Sequence, residues 1–154
     1  MIDGDTLPGV GDEIPPWMID CVDAARMKTM AAILRDPYPV HWDRAGNERA
    51  GLGPRLINQG PLNVGYLANM LMAWAGPTCV RRLTVAFADR VHDGDAVTAR
   101  GTVTATETDE TEHRLTCEIW LERDGQRVVT GTAIVAVSLT PTIESPTSRK
   151  SQAQ

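Results

Sequence analysis

No stretch of this sequence is apolar over the ~18 residues needed to cross a bilayer, so a spanning helix is not expected. Cysteine is scarce too. Cys21, Cys79 and Cys117 are odd in number and show no C-x-x-C spacing, which argues against a disulfide framework or a zinc knuckle. Basic residues are not in excess. A net charge of −5 argues against a general nucleic-acid binder, and the Arg81-Arg82 pair reads as a solvated strand start. The opening Met1-Ile2-Asp3-Gly4-Asp5 has neither the basic nor the apolar segment of a secretory signal, so a cytoplasmic protein with reduced thiols is expected. There are no internal repeats. Residues 1–12, rich in Gly and Asp, and residues 140–154, without periodicity, are expected to be flexible ends. What is present, 154 residues with 42% apolar and 23% charged side chains, suits one globular domain over residues 13–139.

Two hydrophobic periods divide that domain. Glu13 to Asp20 carries two prolines and is expected as an edge strand. Val22 to Arg35 reads as a helix with Val22, Ala25, Met27, Met30, Ile33 and Leu34 near one stripe, stopped by Pro37. A second helix is bounded by Gly60-Pro61 and Gly76-Pro77. Its residues 61–75 carry no charge, so it is expected to be buried. Its first N–H groups and dipole make its start a candidate anion or oxyanion site. Beyond it the period becomes two. Leu83–Phe87, Val97–Ala105, Leu115–Leu121 and Val129–Val137 alternate inward and outward residues, and short turns such as Asp124-Gly125 imply antiparallel order. One apolar helix followed by an antiparallel meander gives an α+β fold, with the sheet wrapped around the helix. Cys117 falls on an inward position.

The candidate chemistry lies in Asp36-Pro37-Tyr38-Pro39-Val40-His41-Trp42-Asp43. On a helix, Asp36 and His41 would point about 140° apart. The two prolines exclude that, because each drives the residue before it out of the α region. A bent, extended connection can bring a carboxylate and an imidazole together as a general acid–base pair. Asp43 is placed to cap a short helical turn through Ala50, ended by Gly51. Asp36, His41 and Asp43 lack further ligands for a metal, so none is expected. His92 and His113 are expected to face solvent.

This order of parts resembles the MaoC-like or (R)-specific enoyl-CoA hydratase family. Its motif G-D-x-N-P-x-H-x-D aligns with Arg35 to Asp43, keeping Asp36, Pro39, His41 and Asp43 in register. Gln59-Gly60-Pro61-Leu62 matches the glycine that opens the family's central helix. Phe87 with Val91-His92-Asp93-Gly94-Asp95 is similar to its aromatic residue before a Gly-Asp turn. Arg35, Tyr38 and Gln59 depart from the family's Gly, Asn and His. The resemblance implies a hot-dog fold and reversible hydration of an enoyl thioester. Asp36 and His41 would activate water, the Gly60 N–H would stabilise the thioester oxyanion, and Tyr38, Pro39, Gln59 and Asn63 would contact substrate. It implies no cofactor beyond a CoA thioester as substrate.

As partners the resemblance implies an acyl-CoA or acyl-carrier-protein thioester and a homodimer, or a heteromer with a second hot-dog subunit, with neither nucleic acid nor membrane. Trp74-Ala75-Gly76-Pro77 is similar to small hot-dog subunits of hydratases that act on steroid side-chain thioesters. Two other readings stay open: a non-catalytic or co-catalytic subunit, and a hot-dog thioesterase. Thioesterases of this fold place a carboxylate on the central helix, and residues 61–75 contain none.

Overall fold

A computed structural model describes Ile2 and residues 7–139. The expected tail at 140–154, and residues 1 and 3–6 of the expected N-terminal one, lie outside the described residues. Strand β1 (Glu13–Ile19) leads to helix α1 (Ala24–Leu34), a 3-10 turn (Pro39–His41), helix α2 (Arg44–Arg49) and helix α3 (Gly60–Ala75). Strands β2 (Val80–Phe87), β3 (Val97–Thr108), β4 (Glu112–Arg123) and β5 (Gln126–Ser138) follow.

The five strands form one antiparallel sheet in the order β1-β3-β4-β5-β2. Strand β1 is the expected edge, and its register with β3 shifts between Ile14 and Trp17, where Pro15 and Pro16 have no N–H to donate. Helix α3 crosses the concave face and meets all five strands. It buries Asn63, Tyr66, Leu67, Met70, Leu71 and Trp74, a spacing of three and four that sets one face against the sheet. Val103, Leu115, Cys117, Ile119 and Val135 meet that face. Burial pushes the Cys117 thiol up to about 11, as suits a core residue rather than a nucleophile. The sheet closes tightly at Gly131, where a Cβ would stand 2.2 Å from the Thr84 carbonyl oxygen. Among the described residues, no helix is long and apolar enough to cross a membrane.

Several expectations change. Helix α1 begins at Ala24, where Asp23 caps it by accepting from the Ala25 N–H at 2.8 Å. Of the expected apolar stripe only Val22, which precedes the helix, and Met27 are buried, and Ile33 is 69% exposed. The helix lies outside the sheet-and-α3 core, so its stripe has too little of this chain to cover it. Residues 7–12, expected to be loose, are tied down. Gly11 donates to Val103, Val103 donates to Asp12, and Pro8 receives a bond from His113. His113 is therefore a correction. It is buried, with Nε2–H donating to the Pro8 carbonyl at 3.0 Å and Thr108 donating to Nδ1 at 2.6 Å. His92 is half-buried rather than solvent-facing, and burial together with nearby Arg55 lowers its pKa.

Candidate active site

The loop after α1 is built by local rules. Arg35 takes the left-handed conformation at φ 52, ending the helix, and the Asp36 N–H turns back to the Ala31 carbonyl at 2.9 Å. Asp36 Oδ1 then accepts from the Tyr38 N–H at 3.1 Å, bracing the turn across Pro37. Pro39 starts the 3-10 turn that presents His41. Asn47, buried on α2, fastens this loop from behind by donating to the Val40 and Arg55 carbonyls at 3.0 and 2.9 Å. Asp43 caps α2 by accepting from the Gly46 N–H at 2.8 Å.

The outcome is that Asp36 Oδ2 lies 3.4 Å from His41 Nε2. The other ring nitrogen, Nδ1, is 2.6 Å from the Ile57 carbonyl oxygen. A carbonyl can only accept, so Nδ1 carries a proton, and in the neutral tautomer Nε2 turns a lone pair toward Asp36. In that form two acceptors face each other. A water placed between them can donate one hydrogen to each.

His41 opens onto a cleft of about 240 Å³ shared with Asn58, Gly60, Asn63, Phe87 and Arg90. Asp36 borders a separate groove of about 350 Å³ with Arg35, Pro37 and Trp42. The pair thus stands on the ridge between two hollows. The Gly60 N–H, first of α3, has no hydrogen-bond partner among the described residues, as the first N–H groups of a helix have no carbonyl one turn back to reach. Its position in the cleft gives that N–H and the helix dipole access to a bound oxygen.

Of the expected contact residues, Asn63 lines the cleft. Tyr38 and Pro39 are exposed on the outer side of the loop, where the Tyr38 ring meets His41 edge-on at 6.2 Å. Gln59 is a correction. Its side chain is fully buried, and its amide donates to the Met27 carbonyl at 2.8 Å, fastening α1 to the start of α3. Two features were missed. Asn58 is 3% exposed and lines the cleft. Asp95, in the Gly-Asp turn, anchors Arg55 and Arg123 and accepts from the His92 N–H at 2.8 Å. Burial raises the Asp95 carboxyl, but those donors outweigh it and hold the group below its ordinary value. With the Asp93 carboxylate accepting from the Leu56 N–H at 2.6 Å, this network locks residues 88–96 against 52–58, which carry the cleft wall. The Asp93-Gly94-Asp95 pattern could have signalled it.

Known structures share this fold. An (R)-hydratase from A. caviae involved in PHA biosynthesis superimposes with a TM-score of 0.71 and 27% identity, over 84% of this chain and 97% of that one. The chain has the MaoC-like hot-dog fold. A MaoC-like dehydratase from Rhodospirillum rubrum matches this chain at TM-score 0.72 and 23% identity, over 87% and 95% of the two chains. A chain of the ChsH1-ChsH2 complex from Mycobacterium tuberculosis matches at 0.73 and 22%, over 85% and 99%. No family model matches the sequence, and no curated protein matches it by sequence.

Proposed function

We propose that this chain reversibly hydrates trans-2-enoyl thioesters to 3-hydroxyacyl thioesters. The observation that carries the reading is the 3.4 Å approach of Asp36 Oδ2 to His41 Nε2, with Nδ1 committed to Ile57. Likeness to an (R)-hydratase supports it. Water held between the two side chains attacks C3 of the enoyl group, and its departing proton passes to the Asp36–His41 pair. Electron density moves through C2 to the thioester oxygen, which the Gly60 N–H stabilises as an enolate. The pair then delivers a proton to C2, so one water has been added across the double bond and the enzyme is unchanged. Pre-aimed donors of this kind contribute about 3 kcal/mol to barrier lowering. The substrate thiol is CoA or an acyl carrier protein.

The test is to incubate the purified chain with crotonyl-CoA and follow both the conjugated double bond and free thiol. Loss of conjugation with no thiol release, and 3-hydroxybutyryl-CoA as product, supports hydration. Thiol release instead identifies a thioesterase, which the absence of any acidic residue at 61–75 disfavours.

A second reading concerns the assembly. Ile33, Leu34, Tyr38 and Trp42 are 69%, 40%, 62% and 47% exposed; they flank Asp36 in sequence, and Trp42 shares its groove. Such a rim suits coverage by a second hot-dog subunit, either another copy or a different chain as in the ChsH1-ChsH2 complex. An isolated chain that is inactive, and gains hydratase activity on adding a second hot-dog protein, favours the heteromer.

A further inference from the structure

The cleft carries a charge that the hydration steps leave unused. Arg44, Arg55 and Arg123, which brace its wall, hold the carboxylates of Asp93, Asp95 and Asp89. Arg90 holds none. It is exposed and lines the cleft with His41 and Gly60, and its guanidinium has no hydrogen bond or ion pair among the described residues. The neighbouring carboxylate is already taken. One Asp89 oxygen accepts from Arg123 at 2.8 Å, and the other from the Arg90 N–H at 2.7 Å. Arg123 also donates to the Arg90 carbonyl. The backbone at residue 90 is therefore held from both sides while the side chain stays free. On a chain of net charge −5, this leaves an unpaired cation in the cleft that contains the first N–H of α3.

We propose that Arg90 is a substrate-recognition residue that binds the phosphate at the end of the thioester's pantetheine arm. This rests on the hydratase reading and narrows its substrate class to phosphate-bearing carriers. The thioester carbon has three substituents about 120° apart. With the oxygen at the Gly60 N–H and C3 at the water between Asp36 and His41, the sulfur turns away from the catalytic pair. The arm then leaves through the rest of the cleft, where Phe87 and Arg90 stand. Extended, that arm sets its phosphate at most about 16 Å from the sulfur, and an arginine side chain reaches back about 7 Å of that span. A guanidinium can give two parallel N–H bonds to phosphate oxygens. Arg35, in the neighbouring groove, is a poorer candidate because the Asp36 carboxylate lines that groove and offsets its charge. CoA and a carrier protein both present this phosphate.

The experiment compares crotonyl-pantetheine, crotonyl-phosphopantetheine and crotonyl-CoA. Wild-type protein should favour both phosphorylated thioesters over crotonyl-pantetheine by roughly 10-fold in kcat/KM. The gain should lie in KM rather than kcat, because a contact far from the reacting atoms is made equally before and during the reaction. A further gain with crotonyl-CoA assigns CoA as the carrier, and equality with crotonyl-phosphopantetheine assigns the single phosphate that a carrier protein also bears. Added salt should shrink the preference, since an exposed pair is screened. Arg90→Gln should abolish it and Arg90→Lys should keep part of it. Arg82→Gln, which removes the same charge from β2 outside the cleft, should leave it whole. The wild-type comparison and its salt dependence stand even if Arg90→Gln does not fold. Equal kcat/KM for all three substrates, or a preference that survives Arg90→Gln, overturns the inference and leaves the hydratase reading intact. Hydration of none overturns both.

Discussion

A methyl group on Gly60 would stand 3.2 Å from Cζ of Phe87, across the mouth of the cleft. Phe87 is 54% exposed, so its ring can swing aside. The missing side chain at residue 60 therefore keeps the approach to the first N–H of α3 open, rather than preventing a fatal clash.

Gly60→Ala separates these roles. Alanine favours a helix over glycine by about 1 kcal/mol, so Tm should hold or rise slightly. The added methyl crowds the oxygen that the N–H must reach, and kcat/KM for crotonyl-CoA should fall by about 10²-fold. Thermal melts alongside steady-state kinetics check it. Unchanged kinetics would remove Gly60 from the oxyanion role.

Arg35 sits at φ 52, immediately before Asp36, where a side chain costs about 1–2 kcal/mol and glycine does not. Glycine costs part of that gain through the freer unfolded chain. Arg35→Gly should raise Tm by roughly 2 °C. Differential scanning calorimetry decides it, and a lower Tm would mean that the guanidinium makes a stabilising contact larger than the backbone strain.

The Asp95 carboxyl has a folded pKa below its ordinary 3.8, because the His92 N–H, Arg55 and Arg123 outweigh burial. Its ionised form thus contributes stability that is fully present above the unfolded value and is lost as pH falls through the lowered folded value. Asp95→Asn should cost about 1–3 kcal/mol at pH 7 and reduce the loss of stability below pH ~4. Urea titrations across that range measure both effects. An identical acid limb in the variant would contradict the assignment.

Much of this arrangement was legible before any coordinates. Pro37 and Pro39 restrict the backbone whatever surrounds them, so the bend joining Asp36 to His41 follows from local sterics. Pro61 and Gly76 bracket α3 for similar reasons, and strict alternation identified the strands. The rest depends on what packs on what. Nothing near His113 in sequence shows that Pro8 lies over it, 105 residues away. Gln59 reads as a site residue beside Gly60, yet its side chain turns back to Met27. The stripe on α1 has the spacing of a core face, and its exposure is visible only once the sheet is seen to be filled by α3. Asn58 carried no signal, because a lone amide before a Gln-Gly pair resembles ordinary loop composition.

The most direct measurement is single-turnover hydration of crotonyl-CoA by wild type, Asp36→Asn and His41→Ala, each shown to be folded by circular dichroism. If Asp36 and His41 share the attacking water, each substitution lowers the rate by about 10²–10⁴-fold, and the double variant is little worse than either single one. A folded Asp36→Asn or His41→Ala protein that hydrates crotonyl-CoA at the wild-type rate would contradict it.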